Sequence, residues 1–240
     1  IDIIATGDFT YPAWFESIKK VLIEISPQNG LYKLQSAPDD KVKFILSTEV
    51  SLIYKDGGKA RRIHLVVHAP SLEAVEKLNK QLDKKFNIRS DGRPILGISA
   101  PEFMKLVFNV DPRFLIYPAH IWTPWFSVFG SKSGFNSLEE CFKDQTEHIY
   151  ALETGLSSDP AMNWRLSALD KLTILSNSDA HSLANLGREA NIMEIAGLPT
   201  YQKIYDNIKN KIGLKMTIEF YPEEGMYHFD GHRACRFSCE

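Results

Sequence analysis

Leu172-Thr173-Ile174-Leu175-Ser176-Asn177-Ser178-Asp179-Ala180-His181-Ser182 is the stretch on which the reading of this chain turns. Its first four residues form an apolar run of the kind that makes a buried strand. The small polar residues after it read as the loop leaving the strand's C-terminal end. Asp179 and His181 stand two positions apart on that loop. In barrel-like α/β proteins such loops converge on one face, where chemistry collects. A carboxylate and an imidazole placed there suit a hard or borderline divalent metal. The plainer reading is a surface loop with an Asp-based turn and an incidental histidine. Partners at other strand ends decide between the two.

Outward from this stretch, strand patterns cover residues 1–5, 42–50, 62–68, 114–117, 149–153, 191–195 and 214–220. Helical spacing predicts helices over 14–25, from Ser71 through Leu82, from Pro101, over 137–142, around 162–169, and over 201–211. Asp56-Gly57-Gly58 and Ser90-Asp91-Gly92-Arg93-Pro94 read as turns. Alternating strands and helices with short connections predict an α/β fold with a largely parallel sheet. Ionisable residues close several strands: Asp8, Glu49, His64, His120, Glu153, and Asp179 with His181. One such residue means little, but this many favour a closed or nearly closed barrel around a metal centre. A Glu, two His and an Asp-x-His suit Zn, Mn or Fe, with more than one ion allowed because carboxylates can bridge. His68 reads as a core or edge histidine and His148 as a solvated one.

Bulk properties restrict the function. A net charge of -2 gives no global attraction to nucleic acid, so any such binding needs a local patch. No apolar stretch approaches a membrane span, and no signal peptide opens the chain. Three cysteines, Cys141, Cys235 and Cys239, make no disulfide framework and point to a reducing, cytoplasmic setting. The loop 122–134 interleaves Trp122, Trp125, Phe126 and Phe129 with Gly, Ser and Lys132. It reads either as a cover packed over the barrel mouth or as a base-stacking wall. Gly130-Ser131-Lys132-Ser133 lacks the order of a phosphate-binding P-loop, which leaves an ATP motor unsupported. The chain opens inside a strand pattern and stops inside a Cys-bearing segment, as a fragment of a longer polypeptide would. The tail 227–239 reads as the start of an incomplete zinc module, the alternative being a disordered tail.

Several strings together resemble one family: Thr6-Gly7-Asp8-Phe9-Thr10, Thr48-Glu49-Val50-Ser51-Leu52-Ile53-Tyr54, Ser90-Asp91-Gly92-Arg93-Pro94-Ile95-Leu96-Gly97, Pro118-Ala119-His120-Ile121-Trp122-Thr123-Pro124-Trp125, Glu153-Thr154-Gly155-Leu156-Ser157-Ser158-Asp159-Pro160, and Ser176-Asn177-Ser178-Asp179-Ala180-His181. They are similar to the endonuclease Q family of the polymerase and histidinol phosphatase (PHP) superfamily. The resemblance implies a distorted β/α barrel of PHP type over residues 1–222, its first strand and opening His-x-His motif lying upstream. Residues 223–240 would begin a C-terminal zinc-binding module, with Cys235 a structural zinc ligand. Asp8, Glu49, His64, His120, Asp179 and His181 match metal-ligand positions, although Phe9 stands where the superfamily's Thr-Asp-His motif has its histidine. Asp159 and Asp179 are the implied catalytic residues.

The implied cofactors are divalent ions (Zn, Mn or Mg), two or more in the intact site. The implied activity is DNA cleavage 5′ to deaminated bases (uracil, hypoxanthine, xanthine) or abasic sites. For a flipped base, Trp122, Trp125 and Phe126 are candidates to line the pocket. Arg89, Arg93, Lys132, Arg165 and Arg188 are candidates for phosphate contacts. Two alternatives remain open: a PHP-type phosphoesterase acting on a small phosphorylated metabolite, and a non-catalytic DNA-binding barrel.

Overall fold

The computed structural model describes residues 1–224 throughout, and beyond them the backbone of two short strands, Asp230–His232 and Phe237–Cys239. Cys235, expected as a zinc ligand, lies outside the described residues.

The chain opens with β1 (Ile3–Ala5) and α1 (Pro12–Val21), followed by β2 (Leu22–Glu24), β3 (Leu31–Leu34) and β4 (Lys43–Ile45). These strands form one sheet in the order β1-β4-β3-β2, with only β1 and β4 parallel. The helix expected over 14–25 starts earlier, at Pro12, and stops at Val21. Pro12 suits a first helical turn because its missing N–H has no intrahelical partner there. The early stop follows from Val21, Ile23 and Ile25, β-branched residues that favour extended backbone, which Leu22 already adopts at φ -106° and ψ 139°.

The apolar run 42–50 divides at Leu46 into β4 and a second strand, β5 (Ser47–Asp56), which pairs along its whole length with β6 (Lys59–His68). Gly57 at φ 57° and Gly58 at φ 76° make the two-residue turn between them, a tip that needs left-handed backbone at both positions. The chain continues through α2 (Leu72–Asp83), β7 (Ile95–Leu96), α3 (Ala100–Val110) and β8 (Leu115–Pro118). Ser71 caps α2 by accepting from the Ala74 N–H at 3.1 Å. Both helices press apolar faces onto the sheet: Val75, Leu78, Leu82, Phe103, Met104 and Val107 share one core with Val50, Leu52, Ile63 and Leu65.

This second sheet has the order β7-β5-β6-β8, and only β5/β7 is parallel. The expectation of a largely parallel sheet is therefore corrected. A two-residue connection can join only antiparallel neighbours, and the Gly57-Gly58 tip makes one.

The remainder supplies α4 (Leu138–Phe142), β9 (Ala151–Glu153), α5 (Pro160–Trp164), β10 (Thr173–Leu175), β11 (Ala190–Met193), α6 (Tyr201–Lys209), β12 (Leu214–Ile218), and the paired β13 (Asp230–His232) and β14 (Phe237–Cys239). The helix expected around 162–169 is broken into α5 and a 3₁₀ turn, Ser167–Leu169. β9 and β10 are parallel, β11 and β12 antiparallel.

The fold is mixed α/β, as expected, but among the described residues its ladders form five separate sheets rather than one closed barrel. Single backbone bonds stitch neighbouring sheets: Phe9 N–H, just past β1, to the Ser47 carbonyl of β5, and Ile121 N–H, just past β8, to the Glu153 carbonyl of β9. No helix among the described residues is long and apolar enough to cross a membrane.

His68 ends β6 inside this packing, with Nε2 3.0 Å from the Tyr117 hydroxyl. Burial depresses its pKa from 6.5 to about 4, so the unfolded chain takes up a proton that the folded chain refuses. Stability from this residue is complete above pH 6.5 and is lost as pH falls toward 4, by up to about 1.4 kcal/mol per pH unit. His68→Gln keeps an acceptor for Tyr117 and does not titrate. Urea unfolding between about pH 4 and 7 is expected to show a shallower loss of stability in acid for this variant than for the wild type.

Candidate metal centre

The β5/β6 register builds the site. Ser51 lies opposite His64 and Glu49 opposite Val66, so Glu49 and His64 share one face as diagonal neighbours across the ladder. Their ligand atoms, Glu49 Oε1 and His64 Nδ1, are 2.7 Å apart. β8 flanks β6 on the other side, with Pro118 opposite Leu65, which brings His120 alongside. His120 Nε2 is 3.0 Å from His64 Nδ1 and 3.4 Å from Glu49 Oε1. Glu49 and His64 thus sit within long antiparallel strands, not at strand ends as the sequence pattern implied. The difference arises because the glycine tip lets the pairing run well past both residues.

Three atoms with lone pairs converging this closely are a donor set for one cation. The chemistry of each fits. His120 Nδ1 is 3.0 Å from Thr123 Oγ1, and that hydroxyl lies within donor distance of the His120 and Trp125 carbonyls. The threonine oxygen is then the acceptor, His120 carries its proton on Nδ1, and Nε2 is left to face the cluster. Burial works against a charge on Glu49, but hydrogen bonds with His120 and His64 outweigh it and hold the carboxyl well below its usual range. Burial pushes His64 down. In His120 the hydrogen bond and charge of Glu49 overcome burial and push the imidazole up. Although 2.7 Å from His64, the buried Glu49 Oε1 receives no well-directed hydrogen bond. An anionic oxygen so placed is better satisfied by a cation than by a strained hydrogen bond.

Of the six expected metal ligands, these three come together within 4.8 Å, the one such group among the described residues. The other three surround it more loosely. Burial, then the charges of Asp91 and Glu49, raise the Asp8 carboxyl, while Arg93 and His181 offset the rise. A Cβ on Gly92 would collide with Asp8 Oδ2, so the backbone there must be glycine for the carboxylate to lie against it. Asp179 adds its charge to the field at His120. The His181 side chain is 74% exposed, with Nδ1 2.9 Å from the Asp179 carbonyl.

The aromatic loop divides. The Phe126 ring lies 4.6 Å from the His64 ring and walls the cluster. Trp125 is exposed, with the Arg62 guanidinium 5.0 Å from its ring. Trp122 is half-buried, its ring 4.8 Å from Phe129 and its indole N–H donating to Asn163 Oδ1 at 2.8 Å. Arg93 reaches Glu49 Oε2 at 3.3 Å. Arg188 donates to the Ser178 carbonyl at 2.8 Å and to that of Asp179 at 3.4 Å, bracing the loop that carries Asp179. Arg89 is paired with Asp83 at 2.5 Å, and Lys132 and Arg165 are exposed. Asp159 caps α5 by accepting from the Met162 N–H at 2.7 Å.

Two residues outside the expected ligand and catalytic set prove structurally important. Glu153 is buried, its carboxyl pushed up to about 7 by burial. Gly155, at φ 63°, lies directly behind His120. A charge closing the apolar strand 149–153 was the available signal for Glu153. Nothing local marks Gly155, because its constraint comes from a residue distant in sequence.

Asp8, His120 and Asp179 all adopt positive φ, 48°, 29° and 42°, a region costing roughly 1–2 kcal/mol for residues with a Cβ. Asp179→Gly is expected to leave stability within about 1 kcal/mol of wild type, because relief of φ offsets the entropy of glycine. The affinity for a divalent cation is expected to fall about ten-fold. Thermal unfolding and equilibrium dialysis check the two halves. Gly155→Ala would place a Cβ 2.5 Å from His120 Cβ; a drop of about 1–3 kcal/mol is expected in urea unfolding.

No family model matches this chain. The uncharacterized protein YqxK of Bacillus subtilis is 36% identical over 130 residues, covering 54% of this chain and 32% of that protein. The uncharacterized protein MJ0043 of Methanocaldococcus jannaschii is 34% identical over 161 residues, covering 61% and 20%. Among solved structures, the lesion-specific endonuclease PfuEndoQ from Pyrococcus furiosus superposes with a TM-score of 0.82 at 30% identity, over 100% of this chain and 56% of its own. Endonuclease Q in complex with a 27-mer duplex carrying an abasic lesion superposes with a TM-score of 0.80 at 32% identity, over 95% and 53%. The chain therefore spans a fifth to a third of the curated relatives and just over half of the structural ones. The likeness to endonuclease Q carried by short strings in the sequence is thus a likeness of the whole chain.

Proposed function

We propose, from this kinship with endonuclease Q, that the chain is the catalytic part of a metal-dependent DNA-repair endonuclease. Its substrate would be duplex DNA, cut 5′ to deaminated bases (uracil, hypoxanthine, xanthine) or abasic sites. One observation carries the reading: Glu49, His64 and His120 converge on one point in a chain that superposes throughout on a lesion-specific endonuclease. The distorted PHP-type barrel is part of the proposal, supported by the backbone bonds that stitch one sheet to the next. So are the zinc module containing Cys235 and a cytoplasmic location.

Glu49, His64 and His120 would hold the first ion, with Asp8, Asp179 and His181 available to a second. A bound divalent ion would supply Lewis acidity toward the phosphate and a water acidic enough to attack it. The chain's own groups do the rest. Thr123 keeps His120 in the tautomer that offers Nε2, and the tight β5/β6 ladder fixes Glu49 against His64. Arg93 stands beside Glu49, where a phosphate oxygen could exchange for the carboxylate as its partner. Phe126 keeps water from one side of the cluster. Trp125, exposed and beside Arg62, is the better placed of the two loop tryptophans to stack on an unpaired base. Asp159 and Asp179 are the proposed proton-handling groups.

The test uses the full protein with Mn²⁺ or Mg²⁺ and an end-labelled duplex bearing a single abasic site or uracil. Incision 5′ of the lesion is expected, lowered at least about 100-fold in Glu49→Gln and His120→Gln variants that retain the wild-type circular dichroism spectrum. Absence of incision together with turnover of sugar phosphates would replace this reading with the small-metabolite phosphoesterase. Lesion binding without cutting would replace it with a non-catalytic DNA-binding domain.

A further inference from the structure

Behind the cluster lies a chain of hydrogen bonds whose directions can be deduced from its anchored end. The Asn191 side chain is clamped on backbone: Oδ1 accepts from the Ser176 N–H at 3.0 Å, and Nδ2 donates to the Ser176 carbonyl at 2.8 Å. A backbone N–H can only donate and a carbonyl can only accept, so the Asn191 amide has one orientation. Its Nδ2 also donates to Asn177 Oδ1 at 3.1 Å. That contact orients Asn177 in turn, whose Nδ2 then donates to Glu153 Oε2 at 2.7 Å and lies 3.2 Å from the Tyr117 hydroxyl. Tyr117 accepts from Asn177 and turns its own proton toward His68 Nε2.

The other Glu153 oxygen, Oε1, accepts the backbone N–H of His120 at 3.1 Å. Both carboxylate oxygens therefore receive donors. The next backbone N–H, that of Ile121, donates to the Glu153 carbonyl at 3.0 Å. His120 is thus tied to Glu153 through its own N–H and its neighbour's. These ties hold it in the left-handed backbone at φ 29° that aims Nε2 at Glu49 and His64.

We propose that Glu153 is a positioning residue for the metal centre, fixing the backbone of His120 through a donor–acceptor order imposed by Asn177 and Asn191. This rests on the reading of Glu49, His64 and His120 as cation ligands. It adds a buried carboxylate that touches neither cation nor substrate, and a directional network that allows only an acceptor at position 153.

The order makes substitutions interpretable. Glu153→Gln keeps an acceptor for His120 but turns an NH2 group toward the NH2 of Asn177, which cannot flip while Asn191 is clamped. Asn177→Asp alone sets two carboxylates face to face. The double variant Glu153→Gln/Asn177→Asp restores complementarity along positions 153, 177 and 191, with the Tyr117 hydroxyl turning its proton from His68 to the new carboxylate and His68 meeting it through an Nε2–H. The new amide at position 153 donates to the new carboxylate at position 177, whose other oxygen still accepts from Asn191.

The test is Co²⁺ binding to the full protein, followed by its visible absorption, with thermal unfolding measured on the same samples. Each single variant is expected to bind Co²⁺ about ten-fold more weakly and with an altered spectrum. The double variant is expected to recover wild-type affinity and spectrum. A merely structural role would lower the melting temperature while leaving affinity and spectrum of the folded protein unchanged, and that result overturns the proposal. If a single variant fails to fold, the double variant decides: recovery supports the network, and a folded double variant that stays about ten-fold weak overturns it. Wild-type protein that takes up no Co²⁺ would overturn the metal centre along with this role for Glu153. Normal Co²⁺ binding without lesion incision would overturn only the nuclease reading.

Discussion

The centre depends on one constraint, the register of the β5/β6 hairpin. A strand slipped by a single residue turns every side chain to the opposite face. The Gly57-Gly58 tip sets the pairing from one end, and the apolar residues Val50, Leu52, Ile63 and Leu65 hold it by burying their side of the sheet. With that register in place, Glu49 and His64 have to meet. β8 then needs only its ladder with β6 to deliver His120. The three ligand candidates come from distant parts of the sequence, yet their meeting follows from two adjacent strand pairings.

Much of this was legible before the structure. Asp56-Gly57-Gly58 announced the turn, and the apolar alternation of 62–68 announced the strand carrying His64. Glu49, His64 and His120 were chosen for their chemistry and do come together. What the sequence obscured was direction. A run such as 42–50 has no visible break at Leu46, so two strands in different sheets read as one, with Glu49 near its close. Residues 31–34 passed unnoticed as a strand because a four-residue segment carries too little periodicity to stand out. Asp159 and Arg188 illustrate another limit. Both were expected among the site residues, and the structure also gives one a helix N-terminus and the other two backbone carbonyls to hold. Such duties depend on folded backbone groups that no residue pattern displays.

The polar groups behind the centre follow a stricter logic than the ligands themselves. A ligand can be exchanged for another of similar charge, but a buried amide whose oxygen faces a backbone N–H has only one acceptable orientation. From Asn191 that orientation passes to Asn177, Glu153 and Tyr117. The interior is thereby ordered by donors and acceptors as much as by packing, and the cluster inherits its rigidity.

The left-handed backbone at Asp8, His120 and Asp179 has a consequence for descent as well as for mechanism. The His120 side chain is itself largely buried, but at the exposed Asp8 and Asp179 glycine would fold about as well as aspartate, so folding alone does not keep aspartate there. In a lineage that no longer needed the centre, drift toward glycine at these two exposed positions would meet little resistance from folding. They would relax earlier than Glu49 and His64, which sit in regular strands and whose loss leaves gaps in a packed ladder. Among duplicated copies of such a chain, the residues at positions 8 and 179 therefore serve as a record of whether the site is still in use.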